Sequence, residues 1–197
     1  DGTTILDITN PFSPTFVVHI PGNNSSWREI KTYQNYAYVV TEQTSPSPHG
    51  VQIIDLSALP GSGVTYKNYI TTATGGGSIN KAHALQVDES AGMLYLFGTN
   101  VFGGSALVLD LKPVSGNPSS GPYFPIYKAR LTYAGTAGNH TYVHDGYANG
   151  NLLYSSHIYA GQFLVAQYNS ATNTLAQTVG SAAINTPGNF THNTWRS

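Results

Sequence analysis

Three histidines and one glutamate recur in short polar segments that are spread along the sequence: Glu29, His83, His144 and His192. Asp145 directly follows the second of these histidines. Imidazole and carboxylate groups together bind divalent transition metals such as Zn, Mn, Fe or Cu, and Ca²⁺ bound through carbonyl oxygens is a further candidate ion. A metal with an open position polarises a substrate or lowers the pKa of a bound water. The sequence therefore predicts a metal site at these four residues, with Asp145 as a fifth candidate ligand.

The other histidines give weaker signals. His49 and His157 precede Gly50 and Ile158, in loops between apolar runs. Two interpretations stay open for this pair, because such loops either rim a ligand-binding site or simply expose the imidazole to solvent. His140 lies close enough in sequence to contribute to the His144–Asp145 pair.

Carboxylates elsewhere form no evident pair in the sequence. Glu42 stands alone after an apolar run. Asp88 and Glu89 open the sequence DESAG, which is typical of a hairpin turn. These residues give no signal of a catalytic dyad.

The elements that position these residues are predicted to be short strands. No segment has a convincing 3.6-residue apolar period, and 21 Gly and 11 Pro interrupt the chain. Apolar runs that close in or near an acidic residue recur at Asp7, Asp55 and Asp110, and a fourth run, FLVAQYN, has lost the acid. A period of about 50 residues with four strand-like pieces in each unit is typical of a β-propeller with four-stranded blades.

We interpret residues 1–197 as one propeller domain or as part of one. The repeat divides these residues into five units. Residues 1–22 supply the last two strands of a blade, three units are nearly whole, and the last holds only a first strand; the boundaries fall roughly at 1–22, 23–80, 81–138, 139–188 and 189–197. The partial units could join to close a four-bladed ring. The interpretation we favour is a segment, about four blades' worth, of a six- to eight-bladed propeller whose remaining blades lie outside this sequence.

Composition excludes several classes of partner. Charged residues make up 9% of the chain and the net charge is −1, so no basic surface for nucleic acid or for an anionic membrane is expected. No apolar run approaches the 18 or so residues of a membrane span. Cysteine is absent, which excludes disulfides, thiolate zinc sites and thiol nucleophiles.

The order of the motifs resembles a known family. The segments LDITNPFSPTFVVHIPG, SSWREIKTYQNYAYVVTEQ, HGVQIIDLSAL, KAHALQVDESAGMLYLFG, YVHDG and THNTW are similar to the LVIVD-repeat β-propellers, including the choice-of-anchor B proteins. This resemblance implies a secreted or cell-surface propeller with its anchor outside the propeller. It implies no particular reaction.

In a propeller the first strand of each blade lines the central channel, so equivalent positions converge on the axis. Glu29 and the three histidines of the predicted site occupy roughly such positions, which is the geometric reason to expect a shared ligand. A structural interpretation competes with it. In WD-repeat propellers a histidine near the start of each blade bonds to an aspartate in a blade turn, and Asp7, Asp55 and Asp110 are the candidate partners here.

Three functions follow from these patterns. The first is an extracellular interaction or scaffold module with a protein or glycan partner, with or without a metal ion or small ligand in the channel. The second is a metal-dependent enzyme, hydrolytic or oxidative, that acts through the histidines and Glu29. The third is carbohydrate binding by the tyrosines. The absence of a GxSxG, phosphate-loop or triad pattern favours the non-enzymatic function.

Overall fold

The computed structural model describes residues 1–112, 124–133, 141–178, 184–185, 188 and 190–194. Within these residues the chain is all-β, with strands and one 3₁₀ turn (Phe102–Gly104) and no α-helix. The prediction of an all-β fold is confirmed. None of the described residues form a helix long and apolar enough to cross a membrane.

The first half of the chain forms three separate antiparallel sheets. A hairpin of β1 (Gly2–Asp7) and β2 (Thr15–Pro21) comes first. A four-stranded sheet follows, in the order β3 (Arg28–Tyr33), β4 (Tyr36–Thr41), β5 (Val51–Asp55) and β6 (Thr65–Tyr69). The short strands β7 (Thr72–Ala73) and β8 (Gly77–Ser78) form a third, two-stranded sheet.

The second half forms one large sheet that is nearly closed and barrel-like. Its eight strands are β9 (Ala84–Asp88), β10 (Met93–Phe97), β11 (Leu107–Asp110), β12 (Ile126–Thr132), β13 (Asp145–Asn149), β14 (Leu152–His157), β15 (Gln162–Asn169) and β16 (Thr174–Gln177), and β17 (Ile184–Asn185) pairs with β15. The strands β9–β12 and β13–β16 are each antiparallel in sequence order, and a parallel pairing of β12 with β16 joins them. The strands at the two open ends, β9 and β13, lie side by side. The finer prediction, a propeller of four-stranded blades, stays a prediction.

Three apolar layers hold these sheets together. Ile20, Ala37, Val39 and Ile54 belong to a layer with Ile5 between the β1–β2 hairpin and the β3–β6 sheet. The other faces of β4 and β5 pack against β9–β11, and a third layer fills the barrel-like sheet. Since side chains alternate along a strand, Tyr38 and Val39 enter different layers. Both faces of β4 are therefore buried, which explains its continuous apolar sequence.

Residues 190–194 form no strand, although a first strand was expected in 189–197. The segment is held against β14 by side-chain bonds instead. Thr194 Oγ1 donates to the Tyr154 carbonyl at 2.8 Å. This contact brings His192 close to the start of β13.

Candidate functional site

The three predicted histidines meet in one continuous row. The ring centroids of His83 and His144 are 4.2 Å apart, and those of His144 and His192 are also 4.2 Å apart, with interplanar angles of 52° and 53°. We call these three side chains the imidazole row. Trp27 extends the row, because its ring stacks on His83 at 4.8 Å and 6°. Phe190 lies at the other end, 6.2 Å from His192.

Strand pairing sets the positions of His83 and His144. Each residue immediately precedes a strand and donates its backbone N–H across to the second strand of the hairpin, at 2.9 Å: His83 to the Phe97 carbonyl and His144 to the Ser156 carbonyl. Since β9 and β13 lie side by side, these two imidazoles are brought into contact. The recurrence in the sequence therefore reflects a shared place at the head of neighbouring strands.

Glu29 lies one residue closer to the turn of its hairpin than His83 and His144 do in theirs. Counted from the turn of each hairpin, the fifth pair is Glu29 with Val40, Ala84 with Phe97, and Asp145 with Ser156. Arg28, and not Glu29, is thus level with His83 and His144. Successive residues of a strand point to opposite faces, so the predicted equivalence of Glu29 with the histidines does not hold.

Glu29 is instead engaged by its own strand and the next one. Its Oε1 pairs with Lys31 Nζ at 2.6 Å, and its Oε2 accepts a hydrogen bond from the Leu85 N–H at 3.1 Å. Asp145 is level with Glu29 and accepts from the Gly146 N–H at 2.7 Å. Burial, followed by the negative charge of Glu29, raises the pKa of Asp145 above its usual range.

Glu42 is the carboxylate that contacts the row, although no partner for it is evident in the sequence. Its Oε1 lies 2.8 Å from His83 Nδ1. A carboxylate accepts hydrogen bonds, so His83 carries its proton on Nδ1 and directs Nε2 elsewhere. His83 Nε2 is buried and has no hydrogen-bond partner among the described residues. Glu42 directly follows β4, but nothing in the sequence indicates which histidine it faces.

His144 is held as a neutral imidazole. Its Nδ1 donates to the His192 carbonyl at 2.9 Å, which leaves the Nε2 lone pair available. Burial, then the neighbouring His83 and His192, lowers the pKa of His144 to about 4. At neutral pH this residue is a lone-pair donor and not a cation.

Within the described residues, Asp7, Asp55 and Asp110 do not bond to histidines in the way that the WD-repeat analogy predicted. The carboxylates of Asp7, Asp55 and Asp110 each accept from the backbone N–H two residues later, at 2.8, 2.9 and 2.9 Å. These are local turns at strand ends. Glu42 and the His192 carbonyl serve the imidazoles instead.

Tyr142 packs beside the row and depends on two glycines. A Cβ on Gly98 would lie 2.6 Å from the His83 Cβ and 2.8 Å from the Tyr142 hydroxyl, and one on Gly104 would lie 2.4 Å from the Tyr142 ring. Both glycines have positive φ, at 58° and 83°. Burial, followed by Tyr159 and Glu42, raises the pKa of Tyr142 to about 12. The hydroxyl is therefore a hydrogen-bond donor at neutral pH.

The row is packed more closely than a metal centre. Two imidazoles on one tetrahedral ion, at a metal–nitrogen distance of roughly 2.0 Å, have ring centroids about 5 Å apart, and the 4.2 Å seen here is shorter. No group of three or more His, Asp or Glu side chains among the described residues is arranged to hold a metal ion. The predicted metal site stays a prediction.

His49 and His157 are buried, so the expectation of solvent-exposed loop histidines is wrong. They are 0% and 2% exposed. The loop between β4 and β5, which contains His49, is anchored by Asn23. Its Nδ2 donates to the carbonyls of Gln43 and Ser47, at 3.1 and 2.8 Å. His157 Nε2 lies 3.0 Å from the Ser155 hydroxyl. A ligand-binding role for the two histidines stays a prediction, and His140 lies outside the described residues.

Comparison of this chain with family models, with curated proteins and with solved structures finds no match.

Proposed function

We propose that this chain supplies consecutive blades of a β-propeller of the LVIVD-repeat type. Support comes from β3–β6, β9–β12 and β13–β16, which are antiparallel runs of four strands in sequence order. Their first strands, β3, β9 and β13, are neighbours. In each run the first two strands form an antiparallel hairpin. Each hairpin has five uninterrupted residue pairs, counted from its turn up to and including the pair that contains Glu29, Ala84 or Asp145.

The ends of the third strands support the same proposal. Asp55, Asp110 and Asn169 each accept the backbone N–H two residues later, at 2.9 Å, and Asp7 does so at 2.8 Å. On this basis β1 and β2 are the third and fourth strands of a further blade.

The function we propose is that of an extracellular or cell-surface binding module, with a protein or glycan partner and with the imidazole row as its ligand site. One observation carries this proposal: three imidazoles from separate segments form a continuous row, and the Nδ1 atoms of two of them are occupied by Glu42 and by the His192 carbonyl. A second-sphere acceptor on one ring nitrogen is the usual arrangement of a histidine whose other nitrogen binds a metal.

The ligand we assign to the row is a divalent transition metal ion, of the type of Zn²⁺ or Cu²⁺. Imidazole nitrogen suits these ions better than Mg²⁺ or Ca²⁺. His83 Nε2 and His144 Nε2 are the first two ligand atoms, and the exposed His192 is the third. Binding would separate the rings by about 1 Å to reach tetrahedral spacing.

Trp27 provides a local reporter for this test, because it stacks directly on His83. The chain has two tryptophans, so a Trp195→Phe variant makes Trp27 the sole indole. Metal-free protein is titrated with CuCl₂ while the fluorescence of Trp27 is followed, and with ZnCl₂ by calorimetry. We expect quenching by Cu²⁺ and a binding stoichiometry near one for each ion.

His83→Ala combined with His144→Ala is expected to weaken binding by at least about 100-fold. His19→Ala is the matched control, because His19 is an exposed histidine on β2 that bonds to Thr4 Oγ1 at 2.9 Å, outside the row. Equal metal affinities for the wild type and the double variant would show that the imidazole row does not bind the metal ion.

A metal-dependent hydrolytic or oxidative enzyme is the second candidate, and the Glu42–His83 pair favours it. A carboxylate that orients an imidazole is also the arrangement of a general base. Turnover of a chromogenic ester or phosphoester by the Zn²⁺-loaded protein, lost in His83→Ala, is the result expected of an enzyme. If the Zn²⁺-loaded wild type shows no turnover, the enzymatic function is excluded and the binding function is the one that remains.

Carbohydrate binding receives less support. Sugars stack on exposed, coplanar aromatic rings. The exposed Tyr159 lies 5.1 Å from Tyr142 with an interplanar angle of 50°, so the two rings do not form one platform.

A further inference from the structure

The guanidinium of the half-buried Arg28 has one buried nitrogen, and no counter-charge for it lies among the described residues. This buried nitrogen, Nη1, has no hydrogen-bond partner in the described part of the chain, while Nη2 donates to the Asn23 carbonyl. The ion pairs of the described residues are Lys31–Glu29, His83–Glu42 and Lys128–Asp110, and none of them includes Arg28. A buried hydrogen-bond donor without an acceptor is costly, so Arg28 Nη1 requires an acceptor.

Two fully buried side chains near the segment that Arg28 contacts also have polar atoms without a partner among the described residues. His49 is 0% exposed, and the structure shows no hydrogen-bond partner for either of its ring nitrogens within the residues that it describes. Gln52 is also 0% exposed, and its Oε1 has no partner among the same residues. Buried polar groups are nearly always hydrogen-bonded, so three such side chains in one region indicate a binding position.

All three surround the segment from Pro21 to Asn23. Gln52 Nε2 donates to the Pro21 carbonyl at 3.0 Å, and the Arg28 guanidinium packs against Gly22, where a Cβ would lie 2.7 Å from Nη2. Asn23 fixes the His49 loop through its 2.8 Å bond to the Ser47 carbonyl. The positive charge of Arg28 also acts on His49, because, after burial, it contributes to lowering the pKa of that imidazole.

We propose that Arg28, His49 and Gln52 form a buried subsite for a small carboxylate, separate from the imidazole row. One carboxylate oxygen accepts from Arg28 Nη1 and the other from an N–H of His49. A carboxylate suits this pair because it offers two acceptor oxygens and neutralises the guanidinium. Gln52 Oε1 accepts from a donor group attached to the carboxylate or from a water beside it.

The test uses sodium formate, the smallest carboxylate, on the whole chain at pH 7.5, with sodium chloride at equal ionic strength as the reference. We expect 100 mM formate to raise the Tm by about 2 °C or more above chloride, because a ligand that binds only the folded state stabilises it. Arg28→Met keeps the length of the side chain without the charge and should abolish the difference. Arg130→Met, at an exposed arginine on β12, should preserve it.

A second measurement keeps the test independent of variant folding. In the wild type, formate should shift the imidazole ¹⁵N resonances of His49, assigned by their loss in His49→Gln, and leave those of His19 unchanged. An equal response to formate and chloride, or unshifted His49 resonances, would show that water alone fills this position and would overturn the proposal. Neither readout depends on metal binding at the imidazole row.

Discussion

Glu42 and His83 form a hydrogen bond of 2.8 Å although they lie 41 positions apart in the chain. The bond joins the end of β4 to the residue before β9, so it connects the four-stranded sheet with the barrel-like sheet. It also fixes the tautomer and orientation of the first imidazole of the row. The position of Glu42 therefore controls which nitrogen of His83 faces a ligand.

Glu42→Gln tests that control. The amide can still accept from Nδ1 but lacks the negative charge, so we expect the affinity for Zn²⁺ to fall by about 10-fold or more. Calorimetric titration measures the change. Glu89→Gln, at an exposed carboxylate of the β9–β10 turn, is the matched control and should bind as the wild type does. Unchanged affinity in Glu42→Gln would mean that His83 is not oriented by this bond during binding.

The pH dependence of stability should reveal the buried imidazoles. Burial is the largest cause that lowers the pKa values of His49 and His144 to about 4, from 6.5 in the unfolded chain. Between pH 6.5 and 4 the unfolded state binds more protons, so stability falls as the pH falls through this interval and levels off below it. The fully buried His49 contributes on the order of 3 kcal/mol.

Urea denaturation at several pH values, in buffers without carboxylates, measures this slope. His49→Gln should flatten the fall in the midpoint between pH 6.5 and 4, whereas His19→Gln should not. Asp145 acts in the opposite sense because its pKa is raised, so the comparison is made between variant and wild type. A slope that is identical in His49→Gln would show that His49 is not protonated differently in the folded and unfolded states.

Gly98→Ala should be strongly destabilising. The new Cβ would meet the His83 Cβ at 2.6 Å, and the backbone φ of 58° is unfavourable for alanine. We expect a loss of about 2–4 kcal/mol in the free energy of unfolding. Gly150→Ala separates the two causes, since Gly150 has a φ of 60° and nothing within 4 Å of its Cβ position. That control should lose only about 1 kcal/mol, and equal losses in both variants would contradict the contact with His83.

Tyr95→Phe should leave the protein as stable as the wild type or stabilise it by up to about 1 kcal/mol. The Tyr95 hydroxyl is buried in the barrel-like sheet and has no partner among the described residues. Tyr168→Phe is the comparison, because it removes a 2.9 Å bond from the Tyr168 hydroxyl to Asn173. Chemical denaturation should show that Tyr95→Phe has a higher free energy of unfolding than Tyr168→Phe. The reverse order would indicate a bound water at Tyr95.

The sequence by itself determined the local elements of this protein. The missing 3.6-residue apolar period and the frequent Gly and Pro predicted short strands correctly, because these signals are local to each segment. Asp55 and Asp110 marked the ends of strands, since the turn that each forms reaches only two residues along the chain. The recurrence of His83 and His144 also indicated neighbouring positions.

Only the tertiary structure decided which side chains meet. Two residues separate Tyr33 from Tyr36 in one hairpin, and four separate Asp88 from Met93 in the next, so spacing along the chain does not show which residues of the two hairpins are level. The strand pairing puts Arg28 level with His83 and His144, and Glu29 points to the opposite face because neighbouring residues of a strand alternate. The burial of His49 depends likewise on bonds from Asn23, more than 20 residues earlier. Contacts of this kind come from the lateral packing of distant segments, which no local pattern of residues encodes.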